Sequence, residues 1–236
     1  MAQPVETASR YSDGTYLLHN PDWHAEHSGW KADHIARLMV KNGISPTSVA
    51  EVGCGAGGIL EALQTAFPTA TYFGYDISQQ ANELARPKAN DKLTFHLGDI
   101  LAAPKIYFDV LLAIDVFEHV DDYMDFLRKL RQLANYKVFH IPLDLSVLSI
   151  VRPSSLMNAR EAAGHLHYFT KETALATLKD CGYTVVDQCF TRRSVELRAN
   201  SLGASLMKIP RAGLSFMSND LAARFLGGFS LLVLAK

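Results

Sequence analysis

From Ser48 onward, short apolar runs alternate with longer segments whose apolar residues recur at helical spacing. The apolar runs predict the β-strands SVAEV, ATYFGYDI, KLTFHLGDI, FDVLLAIDVF, YKVFHIPL, YTVVDQCF and GFSLLVLA. The segments between them predict the helices GILEALQTAF, SQQANELARPK, DDYMDFLRKLRQLAN and TKETALATLKDCG. Because such alternation produces βαβ units, we expect a doubly wound α/β fold with a mainly parallel sheet and helices on both faces.

Three parts of the chain lie outside this alternation. The segment Trp23–Asn42 has apolar residues at helical spacing and predicts an N-terminal helix, which Gly43 ends. The stretches 144–169 and 192–224 lack strand signals, and insertions of this length usually cover a site. The chain has no internal repeat or clear domain boundary, so we expect a single domain over residues 1–236.

The composition excludes several classes of partner. The 236 residues are 48% hydrophobic and 20% charged with a net charge of -1, which gives no electrostatic reason to expect nucleic acid or an anionic membrane. The locally basic stretch Thr191–Arg211 fits a solvated face. Cys54, Cys181 and Cys189 show no CxxC spacing, so neither a disulfide framework nor a zinc site is expected. Without a signal peptide or a membrane-length apolar segment, a cytoplasmic protein is expected.

The stretch SVAEVGCGAGGILEAL, Ser48–Leu63, joins a predicted strand to a predicted helix through a glycine-rich turn. Gly53, Gly55 and Gly58 match the pattern GxGxxG, and Asp76 follows at the end of the next predicted strand. Dinucleotide-binding proteins use such a loop for the pyrophosphate and such an acid for the ribose. A nicotinamide or flavin dinucleotide is therefore one interpretation.

Four carboxylates favour a different ligand. Each lies at or near the carboxyl end of one of four successive predicted strands, and in a parallel sheet these ends meet at one edge. They are Glu51, Asp76, Asp99 and Asp115. An acidic edge repels a pyrophosphate and attracts a cation, such as the ammonium and sulfonium groups of S-adenosylmethionine.

Four motifs, EVGCGAGG, GYDIS, LGDIL and DVFEHV, follow one another in this order between Ser48 and Leu143. In this order and spacing they resemble the successive motifs of class I S-adenosylmethionine-dependent methyltransferases. The resemblance is to the group of ubiquinone-pathway O-methyltransferases and other small-molecule methyltransferases. It implies a Rossmann-like seven-stranded sheet whose last strand is antiparallel. It also implies a cofactor-binding core over residues 46–143, an N-terminal helical lid over 1–45, and substrate-site inserts at 144–169 and 192–224.

The resemblance further implies which residues bind the cofactor. The methionine part would be held by Glu51 and the backbone of Gly53, Gly55 and Gly57, with Asp115 at the same end. The ribose hydroxyls would be bound by Asp76, and the adenine would be framed by Ile77, Asp99 and Ile100. Asp99 has a second interpretation, in which it only caps the following turn.

Histidines supply the candidates for acid–base chemistry. His119 follows the fourth strand and is a candidate general base for an acceptor hydroxyl, although a helix-start role would explain it equally simply. His165 is a weaker candidate, and His140 is expected to be a core histidine with its hydrogen bonds satisfied. A metal site at His165 and His167 would need further ligands that the sequence does not identify, so no metal is expected.

Aromatic residues are candidates for the lid and the substrate pocket. Trp23 and Trp30 lie on the N-terminal helix, and His167 and Tyr168 lie in the first insert. For the two tryptophans, ordinary packing of the helix on the sheet is the alternative.

The expected reaction is transfer of a methyl group to an oxygen or nitrogen of a small molecule by in-line displacement, with no metal required. After the fourth strand the chain has DVFEHV where amino-methylating enzymes of adenine or glutamine carry an Asn/Asp-Pro-Pro-Tyr run. An NAD(P)-dependent oxidoreductase and a non-catalytic S-adenosylmethionine-binding protein are the alternatives. The acceptor and the oligomeric state stay open.

Overall fold

The computed structural model describes residues 25–103, 106–197 and 202–236. Seven strands form one sheet: β1 Ser48–Val52, β2 Thr71–Asp76, β3 Leu93–Leu97, β4 Phe108–Ile114, β5 Ala134–Pro142, β6 Val185–Thr191 and β7 Ser230–Ala235. Their order across the sheet is β3-β2-β1-β4-β5-β7-β6. Only β7 is antiparallel to its neighbours β5 and β6. The predicted fold class, including the antiparallel last strand, is confirmed.

Helices cover both faces of the sheet. The N-terminal helix is α1 Ser28–Lys41, and the helices that alternate with the strands are α2 Gly58–Ala66, α3 Gln79–Ala85, α4 Tyr123–Leu130 and, later in the chain, α7 Lys171–Asp180. Within the described residues, the predicted N-terminal helix consists of a 3₁₀ turn at Ala25–His27 followed by α1. Trp23 lies outside the described residues. No described helix has the length and apolar character needed to cross a membrane.

Alternate residues of each central strand pack on opposite faces. Val110 and Leu112 of β4 join the layer formed by α1 and α2, whereas Leu111 joins the layer formed by α4 and α7. All three are essentially inaccessible to solvent. This two-sided burial explains why β4 is an almost unbroken apolar run rather than an alternating one.

The two late stretches without strand signals are mostly helical. The first contains α5 Val147–Val151, α6 Ser154–Asn158 and a π-helical turn at Ala159–Ala163. The second contains α8 Arg193–Glu196, α9 Leu202–Met217 and α10 Asn219–Leu226. Capping hydroxyls explain several of these short helices, since Ser146 starts α5 and Ser218 starts α10. Their substrate-binding role stays a prediction.

Candidate active site

A cavity of ≈ 910 Å³ opens at the carboxyl edge of the sheet, where the strand order reverses between β1 and β4. In open α/β sheets this is the position at which ligands bind. The loops after β1, β2, β3 and β4 line the cavity together with residues of α1 and of the two late helical stretches.

The glycine loop after β1 borders the cavity with its backbone in a conformation that favours glycine. Gly53, Gly55 and Gly57 all have positive φ, and the first two line the cavity. A Cβ atom on Gly57 would collide with the Phe95 ring, and one on Gly53 would lie 2.9 Å from Val116 Cγ2. A side chain is thus excluded at Gly53 and Gly57 by both conformation and space.

Asp76 ties the glycine loop to the end of β2. Its Oδ2 accepts a hydrogen bond from Gly55 N at 2.8 Å, and its Oδ1 accepts one from Ser78 N at 2.8 Å. Burial raises the pKa of Asp76, and these backbone N–H groups partly offset that effect. Ile77 beside it is exposed and lines the cavity.

The loop after β3 brings Asp99 and Ile100 to the same cavity. Asp99 Oδ1 accepts a hydrogen bond from Leu101 N at 2.9 Å, so this residue does cap the following turn. Both features are present together: Asp99 caps the turn and also lines the cavity.

Glu51 is a buried carboxylate at the base of the cavity, and its Oε2 accepts no hydrogen bond within the described part of the chain. Burial raises its pKa well above the ordinary value; nearby Lys31 lowers it, and Asp76 and Asp115 raise it further. A cationic donor in the cavity would satisfy this oxygen.

Asp115 is held at the end of β4 in the left-handed backbone region, with φ 55. Its Oδ2 accepts a hydrogen bond from Lys31 Nζ at 2.7 Å, and its Oδ1 lies 2.5 Å from His140 Nδ1. Burial alone would raise its pKa, but His140 and Lys31 outweigh burial and hold the pKa well below its usual range. His140 is fully hydrogen-bonded, because its Nε2 lies 2.8 Å from Thr191 Oγ1.

The turn after β4 and the end of the first helical stretch meet at the mouth of the cavity. Leu166 N donates to Glu118 O at 2.8 Å, and the imidazole rings of His119 and His165 contact each other with centroids 5.0 Å apart. Each ring is oriented through Nδ1, which lies 3.1 Å from Gly164 O in His119 and 2.6 Å from Asp144 Oδ2 in His165.

A possible third metal ligand, which the sequence did not identify, is Glu118. One ligand atom from each of Glu118, His119 and His165 lies within 4.8 Å of the other two. Glu118 is fully buried, its two oxygens accept no hydrogen bond from any described residue, and burial followed by the nearby Asp115 raises its pKa well above the ordinary value. The three side chains have the composition of a divalent-cation site.

The structure brings only some of the expected lid residues to the cavity. Trp30 lines it, with Nε1 donating to Glu196 Oε2 at 2.8 Å. His167 and Tyr168 are not among the residues that line it. His167 Nε2 lies 2.9 Å from Val120 O, and Tyr168 Oη donates to Leu156 O at 3.3 Å. These bonds hold both side chains against backbone, so the expected pocket role of this pair is not supported.

Some residues of the cavity were not predicted from the sequence. Lys31, Arg193 and Arg211 line it, but they come from α1, α8 and α9, far apart along the chain. None stands in a motif. The only signal was the basic composition of Thr191–Arg211, which a solvated surface explained as well.

A family model for a methyltransferase domain matches residues 23–188, which include β1 to β5, the first part of β6 and the glycine loop. The chain belongs to this methyltransferase family. The resemblance to class I S-adenosylmethionine-dependent methyltransferases is thereby confirmed, and a dinucleotide oxidoreductase is not supported. S-adenosylmethionine is the cofactor of this family.

Three relatives illustrate the similarity. The chain is 32% identical over 87 residues to trans-aconitate 2-methyltransferase of Rhodopseudomonas palustris, covering 37% of this chain and 34% of that protein. It is 32% identical over 96 residues to a tocopherol O-methyltransferase of Oryza sativa, covering 38% of this chain and 26% of that protein. The chain thus spans about a third or less of these relatives. The plantazolicin methyltransferase BpumL, solved with S-adenosylhomocysteine, is 20% identical, with a TM-score of 0.59 over 98% of this chain and 93% of that chain.

Proposed function

We propose that this methyltransferase transfers the methyl group of S-adenosylmethionine to an oxygen or nitrogen of a small-molecule acceptor. One observation carries the proposal: a single cavity contains both the glycine loop with Glu51 and the histidines His119 and His165. The residues assigned to the cofactor and the candidate proton acceptors therefore line the same cavity.

The residues present fit the cofactor. Glu51 Oε2 is a buried acceptor that a ligand ammonium would satisfy, and the side-chain-free backbone of Gly53 and Gly55 allows close approach. Asp76 would bind the ribose hydroxyls through the lone pairs that its two backbone bonds leave unused. Ile77 and buried Ile100 would contact the adenine.

When bound, the cofactor supplies an electrophilic methyl group on a sulfonium. The protein aligns the acceptor atom with that methyl, and alignment of this kind contributes up to about 7–11 kcal/mol. Donation from Nδ1 to Gly164 O leaves the lone pair of a neutral His119 ring on Nε2, the atom that would accept the acceptor's proton. His165, oriented by Asp144, is the second candidate for this role.

A small acceptor fits the size of the cavity, ≈ 910 Å³, which α1 and the late helical stretches border together with the glycine loop. The names of the two relatives, a trans-aconitate and a tocopherol methyltransferase, support a small-molecule acceptor. We do not expect the protein to bind nucleic acid, because its net charge is only -1.

Calorimetric titration tests the cofactor. We expect S-adenosylhomocysteine to bind, NAD and NADP not to bind, and Asp76→Ala to weaken binding at least about 10-fold, because it removes charged acceptors. Asp125→Ala, on α4 and outside the cavity with a half-exposed side chain, is the matched control. Binding of a dinucleotide instead would overturn the proposal. Release of S-adenosylhomocysteine during acceptor screening then separates an enzyme from a binding protein.

A second candidate function is metal-assisted methyl transfer, which the arrangement of Glu118, His119 and His165 favours. A divalent cation there would satisfy the two buried oxygens of Glu118 and lower the pKa of a coordinated acceptor hydroxyl. In this version the metal would activate the acceptor hydroxyl, and His119 would be a metal ligand instead of the general base.

Metal analysis distinguishes the two versions. If the metal-free version holds, the purified protein contains no stoichiometric divalent metal, and chelator-treated protein keeps its turnover. If the metal-assisted version holds, chelation abolishes turnover, Mn²⁺ or Zn²⁺ restores it, and Glu118→Gln prevents restoration without weakening S-adenosylhomocysteine binding.

A further inference from the structure

Charged residues of both signs line the cavity. Glu51, Asp76 and Asp115 line it at the ends of β1, β2 and β4, where Lys31 pairs with Asp115. Arg193 and Arg211 line it near the carboxyl end of β6 and the start of β7, and the carboxylate of Asp144, which also lines the cavity, lies 2.6 Å from His165 Nδ1. A cavity lined by charges of both signs suits two ligand groups of opposite charge.

Arg211 is a half-buried guanidinium whose donors are not all used. One Nη donates to Leu226 O at 3.2 Å, while Nε is buried and contacts no acceptor among the described residues. Burial lowers its pKa, and no carboxylate within the described ranges forms an ion pair with it. Because an unpaired buried charge is costly, its retention beside a cavity indicates an anionic ligand.

Ser194 adds a second unused polar group at the same place. Its Oγ is buried without a hydrogen-bond partner in the described part of the protein. A Cβ atom placed on Gly228 would lie 2.7 Å from Ser194 Oγ and 3.2 Å from Arg211 Cζ. The hydroxyl and the guanidinium therefore converge on the space that this glycine leaves open, and all three residues line the cavity.

Arg193 is a second cationic residue of the cavity. Its Nη2 lies 3.1 Å from His27 Nε2, and it makes no ion pair with a described carboxylate. The neighbouring Glu196 does not neutralise it, because Glu196 is bound by Arg192, Trp30 and His34. Glu26 lies beside His27 and is largely exposed. Two guanidinium groups thus face the cavity without a bound counter-charge.

A purely structural role explains less of this arrangement. The hydrogen bond to Leu226 O needs only one of the five N–H donors of Arg211. It does not explain why a second buried donor and a buried hydroxyl stand unsatisfied beside the same open space. A carboxylate, which accepts several hydrogen bonds in the plane of a guanidinium, would satisfy both groups.

We propose that Arg211 and Ser194, supported by Arg193, bind a carboxylate of the methyl acceptor, so that the acceptors are small organic acids. This inference rests on the proposed function, since it names the acceptor class of the same cavity. The carboxylates hold the cationic cofactor, and the arginines orient the acceptor by a group distant from the atom that is methylated.

Ligand-observed NMR tests the assignment with matched acids and neutral amides: 4-hydroxybenzoate against 4-hydroxybenzamide, and succinate against succinamide. Each is titrated with and without saturating S-adenosylhomocysteine. We expect at least one acid to bind about 10-fold or more tightly than its amide, and Arg211→Met to remove this preference. Arg86→Met, an exposed arginine outside the cavity, should leave it unchanged.

If Arg211→Met folds poorly, a conservative substitution of Arg211 and substitutions of its two neighbours still test the inference. Arg211→Lys keeps the charge but loses the planar fork, so it should restore part of the preference for the acid. Ser194→Ala and Arg193→Met should each weaken acid binding while circular dichroism and the melting temperature stay close to those of the parent.

Other outcomes overturn the inference in distinguishable ways. Equal binding of acids and amides, or no binding of either, removes the anion subsite. If Arg211→Met weakens S-adenosylhomocysteine instead of the acids, the arginine binds the cofactor's own carboxylate. If the parent protein fails to bind S-adenosylhomocysteine but still binds acids through Arg211, the proposed function fails while the anion subsite stands.

Discussion

The Nζ atom of Lys31 lies 2.7 Å from Oδ2 of Asp115, which joins the N-terminal helix to the end of β4. Asp115 is the only non-glycine residue with positive φ in the described part of the chain. The ion pair therefore links α1 to a backbone position that is sterically unfavourable for an L-residue. Through this contact α1 forms part of the cavity wall.

Replacement of Lys31 should destabilise the protein more than replacement of an exposed lysine on the same helix. Lys31→Met leaves Asp115 with His140 alone, and we expect the free energy of unfolding to fall by about 1–3 kcal/mol. Lys41→Met is the matched control: Lys41 pairs with Asp187 at the same 2.7 Å but its side chain is 69% exposed, so about 0.5 kcal/mol or less is expected. Urea unfolding measures both, and equal losses would contradict the proposed difference.

The raised pKa of Glu51 predicts a pH-dependent effect of Glu51→Gln. The folded state binds the proton more tightly than the unfolded state, so stability is lost as pH rises above the ordinary value of 4.5 toward the raised folded pKa. The glutamine variant lacks this loss. Its free energy of unfolding should exceed that of the parent by about 1–3 kcal/mol at pH 8, because the variant has no carboxylate to bury at this position. Near pH 4.5 the difference should be small.

Urea unfolding at several pH values measures this difference. Glu61→Gln, an exposed site on α2, is the control and should show no such trend. In the Glu51→Gln variant S-adenosylhomocysteine should bind more weakly, since the amide oxygen still accepts a hydrogen bond but no longer offers a negative charge to the ligand ammonium. A stability difference between parent and variant that does not change with pH would contradict the raised pKa of Glu51.

Gly57 should tolerate alanine worse than Gly43, although both have φ near +70°. At Gly43 the added Cβ meets nothing within 4 Å, so only the backbone penalty of about 1–2 kcal/mol is expected. At Gly57 the Cβ also collides with the Phe95 ring, and overpacking adds about 1–3 kcal/mol. Thermal unfolding should rank Gly57→Ala clearly below Gly43→Ala. The reverse order would mean that Phe95 moves aside at little cost.

His119→Ala should reduce turnover with an identified acceptor by about 10²–10⁴-fold if His119 is the general base. S-adenosylhomocysteine binding should be unchanged, because the cofactor is assigned to other residues. The pH dependence is the informative readout: the loss of rate at low pH in the parent should disappear in the variant. His96→Gln, an exposed histidine on β3, is the control and should keep full activity.

Much of the fold was predictable because burial leaves a regular trace in the sequence. The run at β4 was continuous because both of its faces are covered, and the strands correspond to the apolar runs within a few residues. Helix starts were less certain. Within the predicted segment, Ala25–His27 form a 3₁₀ turn and the α-helix starts at Ser28, because amphipathic spacing does not specify the first α-helical turn.

The sequence by itself determined the elements, the family and the acidic edge, because glycines and carboxylates at strand ends are local features of the chain. Tertiary structure decided which distant residues meet there. It brought Glu118 to His165 and Lys31 to Asp115, and it placed Arg193 and Arg211 on the cavity wall. It also bound His167 and Tyr168 to backbone carbonyls, and neither residue lines the cavity. Such contacts depend on how helices that are far apart in the chain pack over the sheet. No local sequence pattern specifies that packing.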